Sequence, residues 1–353
     1  MIRRAVVDRK YNMIDYSHIR SVHLEISTRC NAACPLCPRN LSGHDSELGY
    51  PIHDMSLGEA QHIFPVAFLQ QLTNILINGN FGDFVTARDG LAIVKYFVES
   101  NPAIKISIST NASAKPNIWS ELGRLPGVSV GFDIDGLEDN HSLYRRNTNW
   151  NLVIDNAKKF IAAGGTAVWR MIRFLHNQHQ IDACRQMSKE LGFSRFDLLD
   201  DGRDSGPVYD RAGDYLYKLG DDPNFKSIEY PLRIEKWHSW SENGSRPENR
   251  LEQYKTIPIK QTVDCYSTKN KEIYVTATGE VYPCCWLGFY PKQEYQHTWQ
   301  QDNMFLKDMV INNNALDTSV EESIEWFNAV ERSWNKKAYT EGRLFKCDEY
   351  CGH

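Results

Sequence analysis

Long apolar runs are missing from this 353-residue chain. No stretch approaches the roughly 18 apolar residues that a membrane-spanning helix needs, so no membrane span is expected. The basic stretch Met1–Lys10 is not followed by an apolar segment, and no secretory signal is read there. Excess positive charge is missing too. Lys and Arg number 40 against 45 Asp and Glu, a formal net charge of −5, so no basic field points to nucleic acid as a partner. A nucleotide-sized ligand stays compatible with that charge. Internal repeats and low-complexity tracts are absent. The middle of the chain is nearly empty of cysteine: between Cys37 and Cys265 only Cys184 occurs.

What is present is ordinary in bulk and unusual in pattern. Hydrophobic content of 41% and charged content of 24% fit a globular chain long enough for one large domain and one small one. Nine cysteines without a secretory signal argue for reduced thiols and a cytoplasmic setting rather than disulfides. Their clustering at both ends, Cys30, Cys34 and Cys37 against Cys265, Cys284, Cys285, Cys347 and Cys351, points to two metal sites. Cys184 falls in a helical pattern and reads as a small buried apolar residue.

Strand-like runs at 21–27, 73–78, 104–110, 128–134, 166–174 and 195–199 alternate with helical patterns. The helices include one opening at a Ser56/Glu59 capping box and others near 86–99, 116–123, 150–163 and 179–191. Such alternation predicts a parallel sheet in an α/β fold. Six units fall short of a closed eight-stranded barrel and suit a partial (β/α)6 barrel with its sites at the strand C-termini. The expected organisation is an N-terminal extension over 1–19, the barrel over 20–215, loops or a linker over 216–255, and a small cysteine-rich domain over 256–353. Within the last, residues 272–276 and 281–282 flank a turn at Thr278–Glu280 and read as a short β unit.

Three thiolates, Cys30, Cys34 and Cys37, are one too few to close a four-iron cluster. One iron is left open to a non-protein ligand, as an unfilled position marks a catalytic zinc site. A structural zinc knuckle with a distant fourth ligand is the plain alternative. The spacing, directly after a strand and with Asn31 following the first cysteine, resembles the signature of the radical SAM superfamily. Leu36 stands where that family usually has an aromatic residue, and it remains apolar enough to shield a cluster. The resemblance implies a 4Fe-4S cluster whose open iron chelates S-adenosylmethionine.

Other segments at strand ends extend the resemblance. Asn78-Gly79-Asn80 looks like a variant of the family's Gly-Gly-Glu segment, which meets the methionyl ammonium of S-adenosylmethionine; on its own it is a glycine-rich turn. Ser109 and Asn111 resemble the Ser/Thr-Asn segment after the third strand, otherwise an Asn-led turn. Asp133, Asp135-Gly136, His141 and Tyr144-Arg145 resemble a stretch of the SPASM and twitch branch. Arg145 is implied as the grip on the carboxylate of S-adenosylmethionine. Asp133, where that branch often has serine, is a candidate catalytic carboxylate, with helix cap or salt-bridge partner as its plain role. Arg203, in a charged stretch after the last strand, is a second candidate, set against a solvated loop.

Cys265, then Gly279 and Cys284 with four residues between them, then Cys347 and Cys351, resemble a twitch domain. They would complete one auxiliary 4Fe-4S cluster, with a four-cysteine zinc site as the alternative. Cys285 competes with Cys284. If the pair lies in a strand, successive side chains alternate and only one faces the metal; the offset from Gly279 favours Cys284.

The resemblance implies an enzyme in which reductive cleavage of S-adenosylmethionine yields a 5′-deoxyadenosyl radical that abstracts a substrate hydrogen. Relatives often crosslink, epimerise or excise parts of ribosomally made peptides, so a peptide substrate is implied. The extension over 1–19 is shorter than the leader-binding domain of many such enzymes, so a separate leader-binding partner is expected, with flavodoxin or ferredoxin as electron donor. A small-molecule dehydrogenase, for instance of a carbohydrate, and a zinc-binding interaction module are the other readings.

Overall fold

A computed structural model describes residues 13–37, 39, 40, 43, 51–115, 117–200, 206–219, 258–289 and 300–353. Arg203 and nearly all of the expected linker lie outside the described residues.

The six expected strands all form. They are β1 (Ser21–Leu24), β2 (Asn74–Ile77), β3 (Lys105–Thr110), β4 (Val128–Asp133), β5 (Thr166–Ile172) and β6 (Arg195–Leu199), each parallel to its predecessor. Between them run α1 (Leu57–Ile63) and α2 (Val66–Gln71), α3 (Gly90–Ser100), α4 (Trp119–Gly123), α5 (Glu138–Tyr144) with α6 (Trp150–Ala162), and α7 (Ile181–Glu190). The capping box closes α1 as its sequence predicts, Glu59 N donating to Ser56 Oγ and Ser56 N to the Glu59 carboxylate.

Local pattern explains the layering. In β4 alternate residues are buried, Val128, Val130 and Phe132, the two-residue period of a strand. On α6, Val153, Ile154, Ala157 and Phe160 form a helical stripe. Phe132 meets Trp119 and Phe160, at 5.3 and 5.9 Å between ring centroids, and sheet and helices share one core there.

Two features go beyond the expected elements. A hairpin of β7 (Gly206–Tyr209) and β8 (Tyr215–Leu219) stands where a charged loop is expected, and it brings Val208 and Leu219 against the first cysteine loop. The C-terminal β unit, β9 (Glu272–Val275) with β10 (Val281–Tyr282), does not form a separate sheet. β9 pairs in parallel with β1, Ser21 opposite Glu272 through Leu24 opposite Val275, giving the order β10-β9-β1-β2-β3-β4-β5-β6. That neighbour accounts for β1: all four of its residues are buried, as in a strand interior to a sheet.

Candidate functional site

Among the described residues, the barrel segments singled out in the sequence follow the C-terminal ends of the parallel strands β1 to β4, where the barrel architecture places sites. After β1 the chain continues through buried Glu25, Ile26 and Ser27. Ser27 Oγ donates to Asp54 Oδ1 at 2.6 Å. The cysteine loop then turns back on itself, with Cys37 N donating to Cys34 O at 3.2 Å and Ala33 N to Arg146 O at 2.9 Å. Cys34 packs among Tyr144, Phe174, Val208 and Leu219, with Cys30, Leu36 and Cys37 at the border of the same cluster.

Burial pushes the Cys34 thiol up to about 12, although the Arg145 guanidinium pulls it down. Cys30 is also pushed up, by burial first and then by Asp83, Cys34 and Cys37. Thiolates gathered here need added positive charge, and the core of an iron–sulfur cluster is of that kind; the three residues fit it. Among the described residues, no three His, Cys, Asp or Glu side chains close around one point as the ligands of a single ion do. A four-iron cluster takes each thiolate on a different iron.

Asn111, at the end of β3, reaches this loop. Its Nδ2 lies 3.8 Å from Cys30 Sγ, 3.0 Å from Asn31 Oδ1 and 2.9 Å from Asp83 Oδ2. Asp83 also accepts from Thr110 Oγ1 at 2.5 Å, Asn111 N at 2.8 Å and Val85 N at 2.9 Å. Burial raises its pKa, opposed by those hydrogen bonds. Ser109 points elsewhere: its hydroxyl accepts from Arg170 Nη1.

The loop after β2 is held by Glu25, the first residue past β1. Glu25 Oε1 accepts from Phe81 N at 2.7 Å and Gly82 N at 2.9 Å. Gly79 and Gly82 are required by close approach: a Cβ on Gly79 would sit 2.6 Å from Glu25 Oε1, and one on Gly82 only 1.7 Å from Ser27 O. Asn78 O accepts from His23 Nε2 at 2.7 Å, and Asn80 Nδ2 donates to Cys285 O at 2.9 Å. Asn80 is thus turned toward the C-terminal cysteines.

At β4 the acidic pair organises two arginines. Asp135, with no exposed surface, accepts from Arg145 Nε at 2.5 Å and from Ile172 N at 2.6 Å. Asp133 lies between Arg145 Nη1 at 3.5 Å and Arg170 Nε at 3.7 Å. Against burial, which works to lower it, the two carboxylates hold the Arg145 pKa well above its ordinary value. Buried His141 accepts from Asp135 N on Nδ1 at 3.2 Å and bonds Thr148 Oγ1 through Nε2 at 3.0 Å, which makes it part of the scaffold.

All five C-terminal cysteines line one cavity of about 400 Å³, together with His23, Glu272, Trp286, Lys346 and Tyr350. Cys347 and Cys351 lie four residues apart on the helix Phe345–Cys351 and so share a face. The buried pair Arg343 Nε–Asp348 Oδ2, 2.7 Å apart, fixes that helix. Cys265 donates to Cys351, and its proton is held by that bond first, then by burial, with the charges of Cys284 and Cys347 adding to it. Cys265, Cys284, Cys347 and Cys351 are therefore near one another. Cys285, pushed up to about 12 by burial, interacts with Cys284 and Glu272. The expected strand alternation does not apply to the pair. Cys285 opens the short helix Cys285–Phe289, three residues past β10, and both thiols line the cavity. The buried Lys346 ammonium, 4.8 Å from the Tyr350 ring, lies beside this thiol bank in an ion pair with Glu349.

Sequence reasoning passed over Glu25, Asp83, Asp135 and Arg170 as site residues. Glu25 was visible as an acidic residue inside an apolar strand run. Asp135 was visible through its two-residue spacing from Asp133, which suits one face of a strand. Asp83 and Arg170 carry no comparable local signal.

No protein-family model matches the chain, and no curated protein does. Solved structures are similar in fold. SuiB of Streptococcus suis bound to S-adenosylmethionine has a TM-score of 0.52 at 14% identity, covering 95% of this chain and 71% of that one. SuiB bound to precursor peptide SuiA has a TM-score of 0.50 at 12% identity, covering 95% and 68%. Native anSMEcpe with bound AdoMet and Cp18Cys peptide has a TM-score of 0.51 at 15% identity, covering 90% and 84%. The chain has the α/β partial-barrel fold of SuiB and anSMEcpe, two proteins solved with S-adenosylmethionine bound.

Proposed function

We propose that this protein is a radical SAM enzyme acting on a peptide. One observation carries the reading: three mutually close thiols after β1, Cys34 buried and Cys30 and Cys37 half-buried, beside Asn111, Asp83 and Arg145, in the fold of SuiB and anSMEcpe. Cys30, Cys34 and Cys37 would hold a 4Fe-4S cluster. That cluster, with S-adenosylmethionine bound, supplies one-electron cleavage of the sulfonium–C5′ bond. The chain's own residues do the rest. Leu36, Val208 and Leu219 keep water from the cysteine loop. Asn111 donates to Cys30, and the loop at Asn78–Gly82 offers backbone to the methionyl end. Arg145 would hold the carboxylate of the ligand, and Asp133 orients Arg145 and Arg170, which makes it a positioning residue.

Cys265, Cys284, Cys347 and Cys351 would hold an auxiliary cluster. A peptide substrate is supported by the precursor peptide in one SuiB structure and the Cp18Cys peptide in one of anSMEcpe. Crosslinking, epimerisation and backbone excision all begin with hydrogen abstraction and suit the site equally. A separate leader-binding protein, a flavodoxin or ferredoxin donor and a cytoplasmic setting complete the reading; no described helix is long and apolar enough to cross a membrane.

Anaerobic reconstitution is expected to load about eight irons per chain, four per cluster. The triple variant Cys30→Ala, Cys34→Ala, Cys37→Ala should keep about half of that iron and lose cleavage of S-adenosylmethionine. Cleavage retained by the triple variant overturns the radical reading, and zinc without iron or sulfide favours the interaction module.

A further inference from the structure

The loop that leaves β2 touches both cysteine sites. At one end, Asp83 holds Asn111, whose amide reaches Cys30 Sγ at 3.8 Å. In the middle, the Asn80 amide spans to the main-chain oxygen of Cys285 at 2.9 Å. At the start, Asn78 O is held by His23, a side chain that lines the C-terminal cavity and sets its ring edge-on to Tyr274, 5.0 Å between centroids. Glu25 bridges the same two regions, one oxygen on Phe81 N and Gly82 N and the other on the Tyr274 hydroxyl at 3.0 Å. Tyr274 belongs to β9 and Cys285 follows Cys284, a member of the thiol quartet. Main-chain groups at Asn78, Phe81 and Gly82 are thus set by bonds that reach the C-terminal unit. Neither the barrel pattern nor the auxiliary thiols require such a connection.

We propose that Asn80 and Glu25 are positioning residues that couple the two sites. Filling the C-terminal cavity fixes the Cys285 carbonyl, and through Asn80 it fixes the loop that meets S-adenosylmethionine. Coupling of this kind is reciprocal: binding at one site strengthens binding at the other by the same factor. The proposal rests on the radical SAM reading for the identity of the ligand. The tie itself belongs to the folded chain and can be read without any metal.

Two measurements test it. In metal-free protein, Asn80→Asp keeps the side chain's shape and removes its donor. Hydrogen exchange should quicken both at Phe81–Gly82 and at the start of helix Cys285–Phe289; quickening at neither overturns the tie. In anaerobically loaded protein, the dissociation constant of S-adenosylmethionine is compared by equilibrium dialysis. Emptying the auxiliary site through Cys347→Ala with Cys351→Ala should weaken binding about tenfold, within the usual range of site coupling. Asn80→Asp should weaken it similarly, and the combined variant no further. Independent, multiplying effects, or an affinity indifferent to the auxiliary site in a chain that loads both clusters, overturn the coupling alone. A wild-type chain that loads no iron overturns the radical reading and the coupling with it.

Discussion

Arg145 and Asp135 are the residue pair on which the barrel end depends. Asp135 has no exposed surface, and Arg145 Nε is its partner at 2.5 Å. Removing one member of a buried pair leaves the other's charge without compensation. Arg145→Ala is therefore expected to cost about 3–5 kcal/mol of stability, read by urea denaturation, in addition to weakening S-adenosylmethionine binding. Arg145→Lys retains a charge, so it separates the two effects: stability should recover in large part while ligand affinity stays low. His141 gives a pH signature at the same scale. Burial holds its pKa down to about 3 in the folded chain against 6.5 ordinarily, with Arg145 adding to the effect. The unfolded state then binds a proton that the folded state refuses. Its contribution is fully present above pH about 6.5 and is lost as pH falls toward 3. The melting temperature should decline over that window, and less steeply in His141→Asn; identical slopes would show that other groups set the acid limit.

The elements that matter most are the loops after β1 and β2, which pack main chain against main chain. Gly82 lies against Ser27 so closely that a Cβ would fall 1.7 Å from the Ser27 oxygen and 2.8 Å from that of Arg29. The obstacle is backbone, so it cannot rotate away as a side chain would. Gly82→Ala should destabilise the protein by about 1–3 kcal/mol, the range of overpacking. It should also displace the segment leading to Cys30. The measurable consequence is lower iron content in the first site with the C-terminal site still loaded. Equal loss at both sites would mean general unfolding. Elements were read unevenly from the sequence. The strands β1–β6 and the cap of α1 were legible because period and capping are local properties. The hairpin β7–β8 was not, because Gly206-Pro207 and the charges before it resemble a turn, and only Tyr144, Phe174 and the cysteine loop give its apolar residues something to cover.

At the scale of the molecule, β9 joins the barrel sheet at β1 and makes the C-terminal region part of the barrel's own architecture. Its removal would leave β1, buried along its whole length, as an edge with unpaired main-chain groups. A truncation lacking residues 258–353 is expected to aggregate or to stay unfolded by circular dichroism. A soluble, cooperatively melting barrel from that truncation would show that β9 is dispensable.

What the sequence by itself determined is what short stretches can encode. Cys30, Cys34 and Cys37 sit after a strand, six strands alternate with helices, and Cys347 and Cys351 are separated by three residues. Each depends on residues within a few positions of one another. Only the tertiary structure decided which distant groups meet. Asn80 and Cys285 are 205 residues apart, and Glu25 and Tyr274 are 249 apart. The same holds for the arginines around Asp133 and for the cavity that gathers all five C-terminal thiols. Contacts of that separation follow from how whole elements pack, and no local period carries them.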